Sequence, residues 1–245
     1  MPEVIFSLDW SVMNTMKQLR ATLFSQLQSL KKVLFSLYIP IVLFFLVLGI
    51  LSNRFDEFSL RIFLRDAVTL ARLPFYAGLL PQLEGLIWTA SLTICIFAYM
   101  ALQPYQSDLA RSRQFLLQAG FVTLMMLFDN VFLFHGTIAP NYLHIDKIVV
   151  LGVYAVVILY FAASNWAEIR SSEYLLCILT LGLLGTSFFL DMLPLEAFPA
   201  FQQIRFFLED GSKFAGIATW LIYLSRSALQ RIGNIRQKNS VSELL

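Results

Sequence analysis

The 245-residue chain is 58% hydrophobic and only 14% charged, and its mean hydropathy is +0.70. An ordinary soluble domain carries about 25% charged residues, so this composition excludes a soluble enzyme and indicates an integral membrane protein. The 18 basic and 16 acidic residues leave a net charge of +2, which gives no basis for a nucleic-acid partner. The two cysteines, Cys95 and Cys177, lie within apolar runs and predict neither a disulfide nor a thiolate metal site.

The N-terminal segment, 1–32, predicts an amphipathic helix on the cytoplasmic membrane surface. Apolar side chains recur there at helical spacing, and basic side chains lie beside them. The apolar positions are Val12, Met16, Leu19, Leu23, Leu27 and Leu30, and the basic ones are Lys17, Arg20, Lys31 and Lys32. This segment leads directly into the first apolar run.

Six apolar segments approach the roughly 20 residues that a helix needs to cross a bilayer. They cover 34–51, 86–102, 115–134, 148–163, 174–193 and 206–225. The sixth differs from the others, because it can span only by including Glu209, Asp210 and Lys213. We therefore expect an all-α polytopic membrane protein whose six transmembrane helices form one integral membrane domain over 1–245.

Between the first and second spans, residues 54–73 predict a second amphipathic helix, lying in the membrane interface. Its arginines are spaced seven, four and seven residues apart, which places them along one stripe of a helix. They are Arg54, Arg61, Arg65 and Arg72. Such a stripe either binds an anionic lipid head group or faces phosphates and water generally. Membrane lipids are the partners that the sequence indicates, and protein partners are left open.

The distribution of lysine and arginine predicts that both termini are cytoplasmic, in a plasma membrane or a bacterial inner membrane. With six spans, most basic residues outside the apolar runs fall on the same side as the termini. They are Lys17, Arg20, Lys31, Lys32, Arg111, Arg113, Arg170, Arg226, Arg231, Arg236 and Lys238. The arginine stripe is the exception, since this topology places it outside.

Under this topology, the charges that interrupt the spans fall in the outer leaflet or its interface. Carboxylates and imidazoles can hold a divalent metal, and a metal with an open position turns bound water into a nucleophile. The candidate metal ligands are Asp129, His135, His144, Asp191, Glu209 and Asp210. The candidate catalytic residues are Asp129, Asp191, Glu209 and Asp210. No two of these residues form an established ligand motif, so the divalent metal is an expectation from shared depth alone.

Helical spacing also predicts the direction in which two polar stripes point. Residues three, four or seven apart share one face of a helix, and polar groups in a membrane helix favour the bundle interior. One stripe is Glu84, Ser91, Cys95 and Ala98, and the other is Cys177, Thr180, Ser187 and Asp191. We expect both stripes to be buried between helices.

Three functions follow from these residues. The first is a metal-assisted hydrolase or another lipid- or small-molecule-handling protein that uses the outer-leaflet pocket. The second is a proton- or cation-coupled carrier, since ionisable groups inside a membrane often move ions. The third is a non-catalytic subunit of a membrane complex, in which the charges only pack and Glu209 and Lys213 form an ion pair four residues apart.

Overall fold

The structure is a computed structural model that describes residues 38–54, 67–103, 109–192 and 199–242, together with 16, 17, 20, 24, 28, 31, 35, 36, 62, 64 and 65. In the last of these segments, side chains are described at 204 and 207–233. The chain divides into two compact units, 1–77 and 78–245. Every regular element in the described residues is a helix.

The first unit contains an apolar helix, α1 (Tyr38–Arg54), and a single helical turn, α2 (Ala67–Leu70). Arg72 has a left-handed φ of 53°, and the amide of Leu73 donates to the carbonyl of Val68. This is the hydrogen-bond pattern of a Schellman motif, which ends a right-handed helix. The predicted helix over 54–73 is therefore not confirmed as one element: Arg72 lies beyond the end of α2.

Two predictions in this unit lie wholly or partly outside the described residues. The N-terminal amphipathic segment, 1–32, is described at scattered positions only. Of the four arginines in the stripe, Arg61 is not described, Arg54 is the last residue of α1, and Arg65 is exposed in a bend. The stripe as a lipid head-group site stays a prediction.

The second unit begins with α3 (Leu79–Ala101) and α4 (Ala110–Phe132), followed by a π-helical turn (Phe134–Ile138) and the short α5 (Ala139–Tyr142). It continues with α6 (Lys147–Ser164), α7 (Trp166–Arg170), α8 (Tyr174–Met192) and the long α9 (Pro199–Ser242). Four of these helices, α3, α4, α6 and α8, are long and apolar enough to cross a membrane. The chain is accordingly a membrane protein.

The four spanning helices agree with predicted spans two to five, with shifted ends. The largest shift is in α3, which begins at Leu79 rather than 86. Pro81 and Glu84 lower the hydropathy there, but Pro81 lies in the first turn, where its missing amide proton costs no hydrogen bond. Apolar length alone therefore underestimates this helix.

The count of six spans is not confirmed. The helix α1 has 17 residues and falls below the length of the four spanning helices. The predicted sixth span, 206–225, lies inside α9, which has 44 residues. A helix of that length extends about 66 Å, roughly twice the hydrocarbon thickness of a bilayer, so it continues well beyond any single span.

The core of the second unit lies where α3, α4, α8 and α9 meet, with α6 against α4. Its centre is aromatic: the rings of Phe115 and Phe161 are 5.7 Å apart, and those of Trp220 and Tyr223 are 5.5 Å apart. The indole of Trp220 donates a 3.0 Å hydrogen bond to the hydroxyl of Thr123, so its polar edge is satisfied inside the bundle.

The polar stripe on α3 points inward as predicted: Glu84, Ser91, Cys95 and Ala98 are buried. The stripe on α8 does so in part, because Cys177, Thr180 and Ser187 are buried but Asp191 is 25% exposed. Small residues allow the close approach of neighbouring helices. At Gly216 of α9, for example, an added Cβ would lie 2.9 Å from the side chain of Leu184 on α8.

Candidate functional site

The main feature of the site is an Asp129–His135 dyad at the end of α4. Leu133 has a left-handed φ of 51°, which ends α4 and starts the π-helical turn that carries His135. The turn places the imidazole beside the last turns of α4, where His135 Nδ1 lies 2.6 Å from Asp129 Oδ2. Strained backbone and π-helical turns of this kind are frequent at functional sites.

Asp129 is held in place by two further hydrogen bonds. The backbone amide of His135 donates to Asp129 Oδ1 at 2.9 Å, and the hydroxyl of Tyr154 on α6 donates to the same oxygen at 3.0 Å. The carboxylate side chain is 13% exposed and the imidazole side chain is 27% exposed. The acid is therefore largely enclosed, while the histidine stays accessible.

This geometry assigns different roles to the two ring nitrogens of His135. Because Nδ1 faces a carboxylate, it is the nitrogen that carries the proton in the neutral ring, and the lone pair is on Nε2. None of the described residues makes a hydrogen bond to Nε2. An aspartate that orients an accessible histidine in this way resembles the Asp–His part of a catalytic triad, a geometry that can transfer a proton at Nε2.

A second cluster lies beside the dyad and joins three helices. Lys213 Nζ on α9 lies 2.7 Å from Glu84 Oε2 on α3, and it donates a 3.2 Å hydrogen bond to Asn130 Oδ1 on α4. Asn130 Nδ2 in turn donates to the carbonyl of Pro81 at 3.1 Å. The Glu84 side chain is 1% exposed, so Lys213 neutralises a carboxylate that is buried inside the bundle.

A third pair connects the ends of α6 and α8. Lys147 Nζ lies 2.6 Å from Asp191 Oδ2, with the two side chains 36% and 25% exposed. Lys147 is the first residue of α6, and Asp191 precedes the last residue of α8. We call the end of the bundle that carries these three groups the dyad end.

The sequence-predicted site residues are only partly brought together. Asp129 and His135 form the dyad, whereas Asp191 pairs with Lys147 and His144 is exposed in the loop that follows α5. Glu209 is half-buried and Asp210 is exposed, both on α9. Among the described residues, no three His, Cys, Asp or Glu side chains form a group that could hold a metal ion. The predicted divalent metal therefore has no set of ligands in this part of the chain.

Residues 36–227 match the model of one protein family, described as "Domain of unknown function (DUF8692)". The chain belongs to this family. The matched range contains all three groups of the dyad end, from Glu84 to Lys213. No curated protein and no solved structure matches the chain.

Sequence analysis missed several residues that shape the dyad end, among them Glu84 and Tyr154. Glu84 was predicted to be buried but was not a site candidate; its signal was a carboxylate on the same stripe as Ser91 and Cys95. Tyr154 gave no signal, because a tyrosine inside an apolar run is ordinary in a membrane helix. Its role depends on α6 packing beside the end of α4, which only the structure reveals.

The opposite end of the bundle carries a separate polar network, which we call the Arg231 end. Arg231 of α9 is 6% exposed; its guanidinium lies 3.0 Å from Glu168 Oε2 on α7 and 4.2 Å from the centre of the Phe115 ring. Glu168 also accepts a 3.2 Å hydrogen bond from Ser112 on α4. At the surface, Arg226 hydrogen-bonds Glu173 and lowers the pKa of that exposed carboxyl. This network joins α4, α7 and α9, and in the part of the chain that the structure describes it places no histidine beside a carboxylate.

Proposed function

We propose that this protein is a multi-pass membrane enzyme that handles a lipid or another small molecule, with His135 as its general base. The observation that carries the proposal is the 2.6 Å contact of Asp129 Oδ2 with His135 Nδ1, which leaves Nε2 of an accessible imidazole without a partner among the described residues. Hydrolysis is the reaction class that this arrangement supports best, because water is the simplest proton donor that Nε2 can activate.

In the proposed reaction, one proton passes from water through His135 to the leaving group. A water molecule gives a proton to His135 Nε2 while its oxygen attacks an electrophilic carbonyl or phosphoryl centre, and the imidazolium then returns the proton to the leaving group. Asp129 stabilises the imidazolium that forms, and Tyr154 and the backbone amide of His135 hold Asp129 in place. General base catalysis of this kind contributes about 10²–10⁴-fold in rate.

We further propose six spans in one membrane domain, with the dyad end facing outward and both termini in the cytoplasm of a plasma or bacterial inner membrane. The 17 residues of α1 extend about 25 Å, which crosses most of the hydrocarbon layer. The part of α9 over 206–225 supplies the sixth span. The excess of arginine and lysine on the side of Arg231 supports this orientation.

A metal-assisted form of the reaction stays a prediction from the sequence. His135 directs Nδ1 at Asp129, so only Nε2 is left for a metal, and the described carboxylates do not gather around it. The general-base proposal needs no further ligand.

A proton- or cation-coupled carrier is the second candidate, and the Glu84–Lys213 pair is the observation that favours it. A carboxylate with a 1% exposed side chain at the end of three membrane helices is costly, and it is retained most often where ions pass. A non-catalytic subunit is the third candidate. It is favoured by the described ion pairs that join different helices, such as Arg231 with Glu168 and Lys147 with Asp191.

The test uses purified full-length protein in proteoliposomes and a panel of phospholipids and small esters, in water enriched in ¹⁸O. Mass spectrometry then detects hydrolysis as the incorporation of ¹⁸O into a product acid or phosphate. We expect His135→Gln to lower incorporation by at least about 10²-fold. The matched control is His144→Gln, which removes the exposed histidine of the neighbouring loop and should leave turnover unchanged.

Equal turnover by wild type and His135→Gln would contradict the general-base role. If wild-type protein incorporates no ¹⁸O into any substrate, the hydrolase proposal fails, and uptake of protons or cations by the same proteoliposomes tests the carrier. A carrier should then lose transport in Glu84→Gln, whereas a non-catalytic subunit should show neither activity.

A further inference from the structure

A long groove runs along the outside of the second unit between α4 and α6. It has a volume of about 620 Å³, within the 300–1,000 Å³ that is usual for small-molecule sites. Eight residues line it: Leu117, Gln118, Phe121, Val122, Val156, Val157, Tyr160 and Phe161. Both helices are long and apolar enough to cross a membrane, so the groove opens toward the hydrocarbon of the bilayer.

The groove has a buried floor and exposed walls. Val122 and Phe161 form the floor and are 8% and 4% exposed. The walls are the large side chains of Leu117, Phe121 and Tyr160, each more than half exposed. The depth therefore comes from exposed side chains that stand on either side of a buried floor.

Polar side chains lie beside one end of the groove. Gln118 lines this end, and Gln118 Oε1 accepts a 3.1 Å hydrogen bond from the hydroxyl of Ser164 and another from the amide of Asn165. Gln118 lies in the first half of α4, and Ser164 and Asn165 lie at the end of α6, toward the Arg231 end of the bundle. A ligand in the groove would thus have one apolar part and one end among hydrogen-bonding groups.

The same end is also basic. The exposed Arg111 lies in the first turn of α4, and the exposed Arg170 ends α7, with its guanidinium 6.0 Å from the centre of the Trp166 ring. The two segments are neighbours, because Ser112 donates to Glu168 of α7. Glu168 is itself paired with Arg231, so it does not offset the positive charge of Arg111 and Arg170.

The lining favours a lipid chain over another helix. Helices that pack inside membranes meet through Gly, Ala, Ser and Thr, which let the backbones approach closely. None of the eight lining residues is one of these; they are branched aliphatic or aromatic side chains, with Gln118 at the end. A flexible acyl chain adapts to the space between such side chains more readily than a rigid helix does.

We propose that this groove binds one membrane phospholipid with an anionic head group. Its acyl chain lies along the floor formed by Val122 and Phe161, and its phosphate lies at the polar end near Arg111 and Arg170. The site is distant from His135, at the other end of α4, and the proposal does not depend on catalysis there. It assigns the lipid a resident role, filling the gap between α4 and α6.

The test measures lipid binding to the delipidated full-length protein in detergent by native mass spectrometry. Phosphatidylglycerol is titrated as the anionic probe and phosphatidylcholine, with the same chains, as the zwitterionic one. We expect one phosphatidylglycerol to bind at least tenfold more tightly than phosphatidylcholine. Val156→Trp places a large ring in the groove from an exposed position and should weaken phosphatidylglycerol binding at least tenfold.

Leu159→Trp is the matched control, since Leu159 is equally exposed on α6 but does not line the groove. It should bind phosphatidylglycerol as wild type does. The double variant Arg111→Gln, Arg170→Gln should lose the preference for phosphatidylglycerol while still binding both lipids. This result would separate recognition of the head group from burial of the chain.

Three results would overturn the proposal. The first is equal phosphatidylglycerol binding by wild type and Val156→Trp. The second is equal affinity of the wild type for the two lipids. The third is a wild-type dimer that Val156→Trp converts to a monomer without any change in bound lipid, because the groove would then be covered by a second copy of the chain.

Discussion

His135 Nδ1 and Asp129 Oδ2 are 2.6 Å apart because the helix that carries Asp129 ends between them. In a continuous α-helix, residues six positions apart lie on different faces and cannot meet. The left-handed conformation of Leu133 and the π-helical turn fold the chain back by the required amount. The position of the imidazole is thus set by backbone conformation rather than by the packing of a long side chain.

The first prediction concerns the tautomer of His135. Asp129→Asn keeps the size of the side chain but replaces the anionic acceptor by an amide, so Nδ1 loses the partner that holds its proton. We expect the proton to redistribute to Nε2 and any turnover to fall by about 10²–10⁴-fold. Nitrogen NMR of protein labelled at histidine reports the tautomer directly.

The control for that experiment is simple because the chain has two histidines. His144→Gln leaves one histidine signal, which assigns the spectrum to His135. If Asp129→Asn leaves the nitrogen shifts of His135 unchanged, the contact with Asp129 does not set the tautomer, and the general-base proposal loses its main support.

The second prediction concerns the unequal exposure of Glu84 and Lys213. In Lys213→Met, the carboxylate of Glu84 loses its ion pair while its side chain stays only 1% exposed. This loss should lower the free energy of unfolding by about 3–5 kcal/mol. Glu84→Gln should cost less, because the side chain of Lys213 is 38% exposed and can reach water. The double variant, Glu84→Gln with Lys213→Met, should recover most of the loss.

Chemical unfolding in detergent, with the four proteins of this double-mutant cycle, measures the coupling between the two side chains. Lys147→Met is the comparison, since its partner Asp191 is 25% exposed and should tolerate the loss better. Additive effects of the Glu84 and Lys213 substitutions would show that the pair contributes no coupling energy.

The dyad end shows where sequence reasoning was effective and where it was not. Helical spacing correctly placed Glu84 and Ser91 on a buried face, because the period of a helix is fixed by backbone geometry. Spacing alone could not identify Lys213 as the partner of Glu84, since that contact joins residues of two helices far apart in the chain. The non-catalytic alternative predicted an ion pair of Lys213 with Glu209, four residues earlier on the same helix.

The metal-site prediction was limited in the same way, because it could not identify which side chains contact each other. A common depth for six candidate ligands says nothing about the direction in which each side chain points around its helix. Asp191 meets Lys147, whereas Asp129 meets His135 through a turn that no hydropathy pattern indicates. Apolar length predicted spans two to five well, because the thickness of the bilayer sets the length of an apolar helix that crosses it. The polar contacts depend on how each helix is rotated about its own axis, and the thickness of the bilayer does not set that rotation.

The third prediction uses two glycines of α9. Gly216→Ala should destabilise the contact with α8, because the added Cβ would lie 2.9 Å from the side chain and 3.2 Å from the backbone nitrogen of Leu184. Overpacking of this kind costs about 1–3 kcal/mol. Gly211→Ala is the matched control on the same helix; no atom lies within 4 Å of its Cβ, so helix propensity should make it neutral or stabilising. Thermal unfolding of both variants would distinguish packing from propensity, and equal melting temperatures would contradict the close approach.

The fourth prediction concerns pH and the surface pair of Glu173 with Arg226. The hydrogen bond from Arg226 lowers the pKa of Glu173 in the folded protein, so the pair stabilises the fold above the ordinary pKa of a glutamate. This stabilisation is lost as the pH falls through the lowered pKa. The effect is small, since both side chains are exposed. Wild type should therefore be slightly more stable than Glu173→Gln at pH 7, and the difference should vanish at strongly acidic pH, as measured by thermal unfolding.

The fifth prediction tests the orientation on which the outward position of the dyad depends. A single cysteine introduced by Asn141→Cys lies at an exposed position of the short α5, and one introduced by Lys238→Cys lies near the end of α9. The native Cys95 and Cys177 are buried, so they should contribute little background. With six spans and both termini cytoplasmic, Asn141→Cys should react with a membrane-impermeant thiol reagent in intact cells, and Lys238→Cys should react only after the membrane is opened. Labelling of both sites in intact cells would mean that they lie on one side of the membrane. The six-span topology, and with it the outward position of the dyad, would then be wrong.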